Sequence, residues 1–514
     1  MTTTRIGRAP ARRIATIVVV STFVSSMLAV GSLGAQRTPA RDDAPCVREL
    51  SWLAAHVARN YAGYADKVTR ATRPTHDAAL ANARTAANAA RDARACDDAL
   101  QRYVRFFADG HLSVSRTRTE GAAASADTSP AALRARFADA PRIALTEEEA
   151  RRRLDRLGAR RWAIEGIHES PTGAYRVALL RDDPRAERPA RVSMIVLRAD
   201  SAWWVPGQVK ATFVPDSSPG RWRGTFRLRD HSPVEITTRP VRNILPIRAE
   251  PWRRVHPVEA GDLDATQVAL LLRPITFAVH EPAERTLVVQ YPNFSDARAI
   301  DSLWRVEGSR LRDADRLVID LRGNGGGSDA NYRQLLPLVW TRPYRSVGAD
   351  VLATDDNIAA WRALLADSAR TGAIERGLLR MTIARLEQGR GGWVRASGDT
   401  EVRYQSALER PRRVDVVIDR GCASSCEQFV LAARESDKVR LYGEPTAGVL
   451  DYANVRRVPM PDGTLVLHLP TSRSRRLPGA PVDGRGIAQD VAIPASEGDW
   501  LGWVLVQPFV RRAR

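Results

Sequence analysis

The sequence contains very little lysine and only four cysteines. Its 514 residues include 78 lysines and arginines, yet the lysines among them are Lys67, Lys210 and Lys438 alone. No lysine follows the glycine run of the chain as a phosphate-binding Walker loop requires, which argues against nucleotide hydrolysis. The cysteines are accompanied by no histidine cluster, which argues against a metal site. We therefore expect no metal and no cofactor.

The sequence also has no polybasic block, although its formal net charge is +19 and its pI is about 10.7. The arginines are spread along the whole chain, a distribution typical of solvated surfaces and not of a nucleic-acid-binding patch. Hydrophobic residues make up 44% of the chain. The composition therefore predicts a globular protein that does not bind nucleic acid.

The one long apolar run lies near the N-terminus. Arginines at positions 5, 8, 12 and 13 precede IATIVVVSTFVSSMLAVG, and small residues follow around GSLGA. This order predicts a secretory signal peptide over residues 1–35, cleaved after Ala35, and no stable membrane span afterwards. Its removal takes away four positive charges, leaving 19 − 4 = +15. We expect an exported protein, periplasmic or secreted.

Export allows disulfides, and four cysteines permit three pairings. Cys46 and Cys96 both lie in helical sequence, whereas Cys422 and Cys426 flank two adjacent serines. The simplest pairing is local within each set, although the sequence does not fix it. If Cys422 were reduced, it would be a second candidate nucleophile, which an oxidising compartment disfavours.

Periodicity divides the rest of the chain into segments of different character. The first segment is rich in alanine and has apolar residues spaced three to four apart, which predicts helices. In the next segment apolar and polar residues alternate, which predicts about six antiparallel strands. The last segment has continuous apolar runs separated by helical sequence, which predicts an α/β core. The predicted class is multidomain α+β. The predicted boundaries are a helical domain over 36–118, a linker with a short helix over 119–160, an antiparallel β domain over 161–250 and the α/β core over 255–514. Within the core, residues 357–389 predict two helices that either strap a cleft or simply pack.

Two strand-to-helix junctions of the core could carry chemistry. One has three glycines at 325–327 after the strand RLVIDL, and the other is RGCASSCEQF at 420–429. Ser424 begins the second helix and Glu427 follows three residues later, which is a capping box. The same position also sets a hydroxyl at a helix N-terminus, where the N–H of Ser425 is free to stabilise negative charge. Both interpretations select Ser424 over Ser425, but only the second requires a partner.

Taken together, four ordered motifs resemble the C-terminal processing (tail-specific) peptidases, peptidase family S41. They are LVIDLRGNGGG at 317–327, ASSCE at 423–427, YGEPTAG at 442–448 and GRGIAQDV at 484–491, within a resemblance that spans roughly 264–500. The resemblance implies a serine-type peptidase with an α/β core of the ClpP/crotonase-like kind. No signature of the PDZ peptide-binding module common in the family is visible, and the β domain occupies that stretch.

The family's site residues transfer to matching positions of this chain. The resemblance implies Ser424 as the nucleophile, and Gly326, with Gly325, together with the amide of Ser425 as the oxyanion hole. Glu427 and Thr446 belong to the motifs and are expected to support the site.

The general base is where this sequence departs from the best-known branch. Those enzymes use a lysine just after the GEPT motif, but Val449 follows Gly448 here, and we expect Lys438 to be a surface residue. The chain resembles the tricorn-like branch better, which draws a histidine from the N-terminal helical region. In FADGHLSV this implies His111 as the base, although a histidine after a helix-ending glycine is ordinarily a loop residue.

The resemblance implies Asp483 as the acid that orients the histidine, where a glutamate is usual. Its alternative role is that of a turn residue in PVDGRG. Gly110 stands where related enzymes have a serine that links the histidine to the acid.

The sequence therefore predicts an exported serine peptidase acting on peptide or protein substrates through an acyl-enzyme. Two alternatives stay open. One is a catalytically degenerate protein of the same fold that binds a peptide, glycan or lipid, and the other is an esterase or amidase that uses the same residues.

Overall fold

The computed structural model describes residues 44–117, 129–138, 140, 142–199, 203–248, 250–366 and 373–509. The predicted signal peptide, residues 1–35, lies outside them. Within these ranges, no helix has the length and apolar character needed to cross a membrane.

The described residues form helices and strands in roughly equal share along the chain. The helices are α1 Pro45–Asn60, α2 Tyr64–Lys67, α3 Arg73–Ala89, α4 Ala93–Val104, α5 Pro130–Arg136, α6 Glu147–Leu157, α7 Ala265–Leu271, α8 Ala297–Asp313, α9 Leu336–Val339, α10 Asp355–Ala366, α11 Ala373–Gln388, α12 Ser425–Ala433 and α13 Trp500–Leu505. The strands are β1 Ser113–Arg116, β2 Gly166–Glu169, β3 Tyr175–Arg181, β4 Val192–Ala199, β5 Val209–Pro215, β6 Trp222–Arg227, β7 Pro233–Thr238, β8 Ile244–Ile247, β9 Glu250–His256, β10 Ala278–Ala283, β11 Thr286–Gln290, β12 Arg316–Asp320, β13 Tyr344–Ser346, β14 Ala349–Leu352, β15 Trp393–Arg395, β16 Thr400–Val402, β17 Arg413–Ile418, β18 Val439–Gly443, β19 Tyr452–Pro459, β20 Leu465–Ser474 and β21 Val491–Ala492.

An antiparallel sheet of eight strands has the order β7-β6-β5-β4-β3-β2-β9-β8. Strands β2 to β7 fall on the six alternating segments predicted from the sequence. Strands β8 and β9 were missed, because ILPI and EPWRRVH carry prolines and charges that weaken a strand signal. The proline of β8 is tolerated because β8 is an edge strand of the sheet.

A second sheet, with the order β10-β11-β12-β17-β18-β21, contains the predicted α/β core. Strands β11, β12, β17 and β18 pair in parallel, and β10 is an antiparallel edge strand. The side chains of β12 point alternately to the two faces of this sheet. Leu317 and Ile319 pack with α8 and α12 on one face, and Val318 packs with α13 on the other. Burial on both faces explains why these strands read as continuous apolar runs.

The N-terminal helices do not have a hydrophobic core of their own. Residues of α1, α3 and α4 share one cluster with Leu465, Leu467 and Leu469 of β20. Strand β1 extends this contact by pairing antiparallel with β20, so that Ser113 lies opposite His468. The turn at 109–112, which contains the predicted base, is therefore attached to the C-terminal third of the chain.

Helices α10 and α11 correspond to the two helices predicted over 357–389, and they pack against each other. They also contact the N-terminal helices. Asn60 at the end of α1 donates to Asp356 at 2.8 Å and accepts from Thr354 at 2.6 Å, and Asn357 donates to the carbonyl of Asn60 at 3.0 Å. These contacts give the pair of helices a packing role between two parts of the chain.

Both disulfides of the structure are local, Cys46–Cys96 and Cys422–Cys426. The first closes a sequence separation of 50 residues. Replacing Cys46 and Cys96 together by alanine is expected to lower the free energy of unfolding by ~4 kcal/mol, because the unfolded chain loses a long closed loop. Urea denaturation of both proteins measures the difference.

The second disulfide provides the control for this prediction. It closes a separation of only 4 residues, so the same substitution at Cys422 and Cys426 should cost about 2 kcal/mol in the chain-entropy model. Equal losses from the two double variants would contradict the argument from loop length.

Candidate active site

Ser424 lies at the sharp turn between strand β17 and helix α12. Its backbone has φ 57° and ψ −121°, a left-handed conformation that a residue with a side chain seldom adopts. Such strain costs about 1–3 kcal/mol and is concentrated at functional sites. Its amide donates to the carbonyl of Val449 at 3.0 Å and to the carboxylate of Glu427 at 3.2 Å. The turn is thus fixed by two acceptors.

Glu427 connects this turn to the 444–451 loop, which joins strands β18 and β19. Its side chain is fully buried, and its two oxygens accept from Thr446 Oγ1 at 2.5 Å, Gly448 N–H at 2.7 Å and Val449 N–H at 2.8 Å. Thr446 in turn accepts from the amide of Ile487 at 2.7 Å. Both predicted supporting residues therefore hold backbone segments beside Ser424.

The glycine turn lies directly against the serine turn. Gly326 has φ 91°, and a Cβ at this position would lie 2.6 Å from the carbonyl oxygen of Ala423 and 2.9 Å from both Ser424 Cβ and Ser425 N. Ser425 Oγ donates to the carbonyl of Gly327 at 3.0 Å. Only glycine allows this approach, because it has no side chain and tolerates positive φ.

The amides of the glycine turn differ from the prediction in one respect. The N–H of Gly326, predicted as the principal oxyanion donor, donates to Asn324 Oδ1 at 2.9 Å and is therefore already used. The amides of Gly325 and Ser425 form no hydrogen bond with any described residue. The sequence did not predict the hydrogen bond from Gly326 to Asn324, because the pattern LRGNGGG indicates only a turn at Asn324.

His111 is held at the same loop as Ser424. Its Nδ1 lies 2.6 Å from the carbonyl oxygen of Tyr452, and its amide donates to Asp109 Oδ1 at 2.8 Å. The neighbouring Gly110 is in contact with Val449, since a Cβ there would lie 2.6 Å from Val449 Cγ2. Val449 also accepts the amide of Ser424. The histidine turn and the serine turn thus contact one short stretch, Val449 to Tyr452.

The tautomer of His111 follows from its partner. A carbonyl oxygen only accepts, so Nδ1 carries the proton and Nε2 is the basic nitrogen of the neutral ring. A backbone carbonyl leaves no sequence signal, and Tyr452 was accordingly missed.

Asp483 does not pair with His111 as predicted. Its Oδ1 accepts from the amides of Leu450 and Asp451, both at 2.7 Å, and its own amide donates to Asp451 Oδ2 at 2.9 Å. Its Oδ2 is buried and has no hydrogen-bond partner among the described residues. The carbonyl of Tyr452 occupies the position on Nδ1 that we expected an acid to take. Asp483 instead fixes the loop that carries this carbonyl.

A group of buried carboxylates lies around this loop. The pKa of Asp483 is raised to about 7, chiefly by burial and also by the charges of Asp109 and Asp451, against the hydrogen bonds from the loop amides, which lower it. Burial also raises the pKa of Asp109, opposed by the hydrogen bond from the amide of His111 and by the hydroxyl of Tyr61, which donates to it at 2.8 Å. Asp109 was not predicted, although the DGH sequence contained it.

The pKa of Asp483 predicts a pH dependence of stability. The folded protein keeps this proton up to about pH 7, whereas the unfolded chain releases it near the ordinary pKa of 3.8. Between these values the folded state binds more protons, so the contribution of Asp483 is favourable at low pH and is lost as the pH rises towards 7. Asp483→Asn keeps an oxygen for the two loop amides and removes the titration.

We therefore expect the Asn variant to gain stability relative to the wild type as the pH rises from about 4 to about 7. Urea denaturation of both proteins at a series of pH values measures the difference. Parallel stability profiles would contradict a raised pKa at Asp483.

Lys438 is not part of the candidate site. Lys438 is buried, not a surface residue as predicted, and burial lowers its pKa to about 8. Its side chain is enclosed because the residue follows α12 and immediately precedes β18, next to the core of the sheet. It lies at the far end of α12 from Ser424. Val449 occupies the position of the family lysine and packs against Gly110.

A strained serine at a helix tip, an adjacent glycine turn with the free amide of Gly325 and a histidine with a basic Nε2 are components of the kind that serine hydrolases use. Residues 285–493 match the model of peptidase family S41. The resemblance to family S41 inferred from the four motifs is thereby confirmed over this segment. The matched segment contains Ser424, the glycine turn and Asp483, whereas His111 lies outside it.

Several solved structures are similar to this chain. Mature CPAF in complex with lactacystin is 13% identical, with a TM-score of 0.45, over 87% of this chain and 94% of that one. The photosystem II D1 C-terminal processing protease is also 13% identical, with a TM-score of 0.33, over 87% and 92%. The tricorn protease is 11% identical, with a TM-score of 0.38, over 89% of this chain and 35% of its own. A search of curated proteins finds no match.

Proposed function

We propose that this protein is an exported serine-type peptidase in which Ser424 is the nucleophile and His111 the general base. One observation carries the proposal: the Ser424 turn and the His111 ring are both held by the stretch from Val449 to Tyr452. The strained backbone of Ser424 and the match of residues 285–493 to the model of a peptidase family support it further.

The proposed reaction begins with proton transfer from Ser424 Oγ to Nε2 of His111 as Oγ attacks the carbonyl carbon of a peptide bond. The amides of Ser425 and Gly325 would donate to the oxyanion of the tetrahedral intermediate. His111 then gives the proton to the leaving amine, which leaves an acyl-enzyme on Ser424 Oγ. Water next attacks the acyl carbonyl while His111 accepts its proton, and His111 returns that proton to Ser424 Oγ as the acid product leaves. In this mechanism Gly326 permits close approach and does not donate.

Asp483 has a positioning role in this proposal. It holds the amides of Leu450 and Asp451, and this loop leads into the Tyr452 carbonyl that accepts from His111 Nδ1. Asp483 would thus orient the base through the backbone, which explains how an aspartate can stand where a longer glutamate is usual.

Export is supported by two further features. The N-terminal run predicts a signal peptide, and all four cysteines form disulfides in the structure, as oxidising compartments allow. We propose a periplasmic or secreted location and a peptide or protein substrate.

A second candidate is a protein that keeps this fold to bind a ligand without cleaving it. Val449 in place of a lysine and the missing contact between Asp483 and His111 favour it. An esterase or amidase would use the same residues as the peptidase and differ only in substrate.

Labelling by a fluorophosphonate probe distinguishes catalysis from binding, because the probe reacts only with an activated serine. Wild-type protein should be labelled and Ser424→Ala should not. His111→Ala should be labelled about 10²–10⁴ times more slowly, the usual contribution of a general base. Ser425→Ala should still react, because only its amide takes part. A folded but unlabelled wild type would favour the binding protein.

A further inference from the structure

A cavity of about 570 Å³ lies between the eight-stranded sheet and the carboxyl edge of the parallel strands. Its wall includes Arg239 and Arg248 beside β7 and β8, Arg273 after α7, Asp419 after β17 and Trp500 in α13. Ser424, His111 and Asp483 do not line it. Helices α7 and α13 cover this face of the parallel sheet, whereas the helix that carries Ser424 packs on the opposite face.

Arginine dominates the polar part of this wall, with five arginines against the acids Asp419 and Glu497. Three of the arginines have carboxylate partners: Arg221 with Asp216 at 3.4 Å, Arg273 with Asp419 at 2.7 Å and Arg322 with Asp320 at 2.8 Å. The side chains of Arg239 and Arg248 form no ion pair or hydrogen bond with any described residue. Two guanidinium groups of the cavity wall are therefore without an ion-pair partner among the described residues.

The chemistry of the wall selects the class of ligand. Guanidinium groups present a planar fork of donors that matches the oxygens of phosphate groups. Val241, Leu271 and Trp500 add apolar surface, and the volume lies in the range of sites for small organic molecules. We propose that this cavity binds a small organic polyanion with phosphate-type groups, held by Arg239 and Arg248.

The cavity also contacts the backbone of both active-site turns. Asp419 is buried, and its Oδ1 accepts from the amides of Gly323 and Gly421, both at 2.8 Å. Its Oδ2 pairs with Arg273, which is exposed to the cavity. An anion that competes for Arg273 weakens the neutralisation of Asp419 and loosens the two turns. This consequence rests on the proposed function, whereas the binding site itself does not.

Isothermal titration calorimetry with inorganic pyrophosphate tests the site. We expect one pyrophosphate to bind per wild-type chain, and the double variant Arg239→Gln with Arg248→Gln to bind about a hundredfold more weakly, roughly tenfold for each charged hydrogen-bonding group removed. Replacing both arginines by lysine should weaken binding less, because the charges remain. Arg223→Gln, in strand β6 of the same sheet but outside the cavity wall, should bind as the wild type does.

Several results would overturn the proposal. They are the absence of pyrophosphate binding to the wild type, equal binding by the double variant, and tighter binding of an acidic peptide such as hexaglutamate than of pyrophosphate. Ser424→Ala should bind pyrophosphate as the wild type does, because Ser424 does not line the cavity. The calorimetry therefore tests the binding site independently of the peptidase proposal. Under saturating pyrophosphate, labelling of wild-type Ser424 should slow by up to about fivefold, the scale of one exposed ion pair, and an unchanged rate would exclude the coupling through Asp419.

Discussion

Replacing Gly326 by alanine is expected to reduce fluorophosphonate labelling of Ser424 by about 10²-fold, the loss that follows a misplacement of reacting groups by about 1 Å. The new Cβ would lie 2.6 Å from the carbonyl oxygen of Ala423 and 2.9 Å from Ser424 Cβ. These are backbone and nucleophile atoms, so no flexible side chain can move to relieve the contact. The φ of 91° adds strain for any residue with a Cβ.

The matched control for this variant is the neighbouring glycine. A Cβ at Gly325 meets no atom within 4 Å, and its φ is not in the left-handed region. Gly325→Ala keeps the amide that we propose as an oxyanion donor, so its labelling should fall far less than that of Gly326→Ala. Similar losses in the two variants would show that the contact of Gly326 with the serine turn is not what matters.

Replacing Glu427 by alanine is expected to destabilise the protein by about 3 kcal/mol or more, because several buried donors lose their acceptor together. The amides of Gly448 and Val449 would have no partner, and the serine turn would lose one of its two acceptors. Labelling of Ser424 should fall with stability, since the same contacts align the turn with the 444–451 loop. Urea denaturation and labelling rates measure the two effects.

Two further substitutions sharpen this test. Glu427→Gln should also be destabilising. Both carboxylate oxygens accept hydrogen bonds, so the NH₂ group that replaces either of them would face another donor, an N–H or an O–H. Glu435→Ala, an exposed glutamate just beyond the same helix, should change stability by no more than about 0.5 kcal/mol. A stable, reactive Glu427→Ala protein would remove Glu427 from the account.

The sequence predicts well those elements whose burial produces a local pattern. The strands around Leu317 and Val416 were recognised because both of their faces are buried, which makes them continuous apolar runs. The position of Ser424 followed from the junction of such a run with a helix. What these predictions share is that a few consecutive residues contain the whole signal.

The remaining features depend on contacts between distant parts of the chain. The pairing of Ser113 with His468 joins segments more than three hundred residues apart, and it explains why the N-terminal helices lack a separate core. The partner of His111 is a backbone carbonyl, and that of Gly326 N–H is the side chain of Asn324. Neither the burial of Lys438 nor the loop amides held by Asp483 has a signature in the neighbouring residues. Local patterns therefore located the proposed nucleophile but not the groups that orient the proposed base.

The central claim is that Ser424, and not its neighbour Ser425, is the activated nucleophile. Peptide mapping by mass spectrometry after fluorophosphonate labelling of the wild-type protein tests it most directly. We predict a single adduct on Ser424, since Ser425 Oγ is buried and donates to the carbonyl of Gly327. An adduct on Ser425, or none in a folded protein, would contradict it.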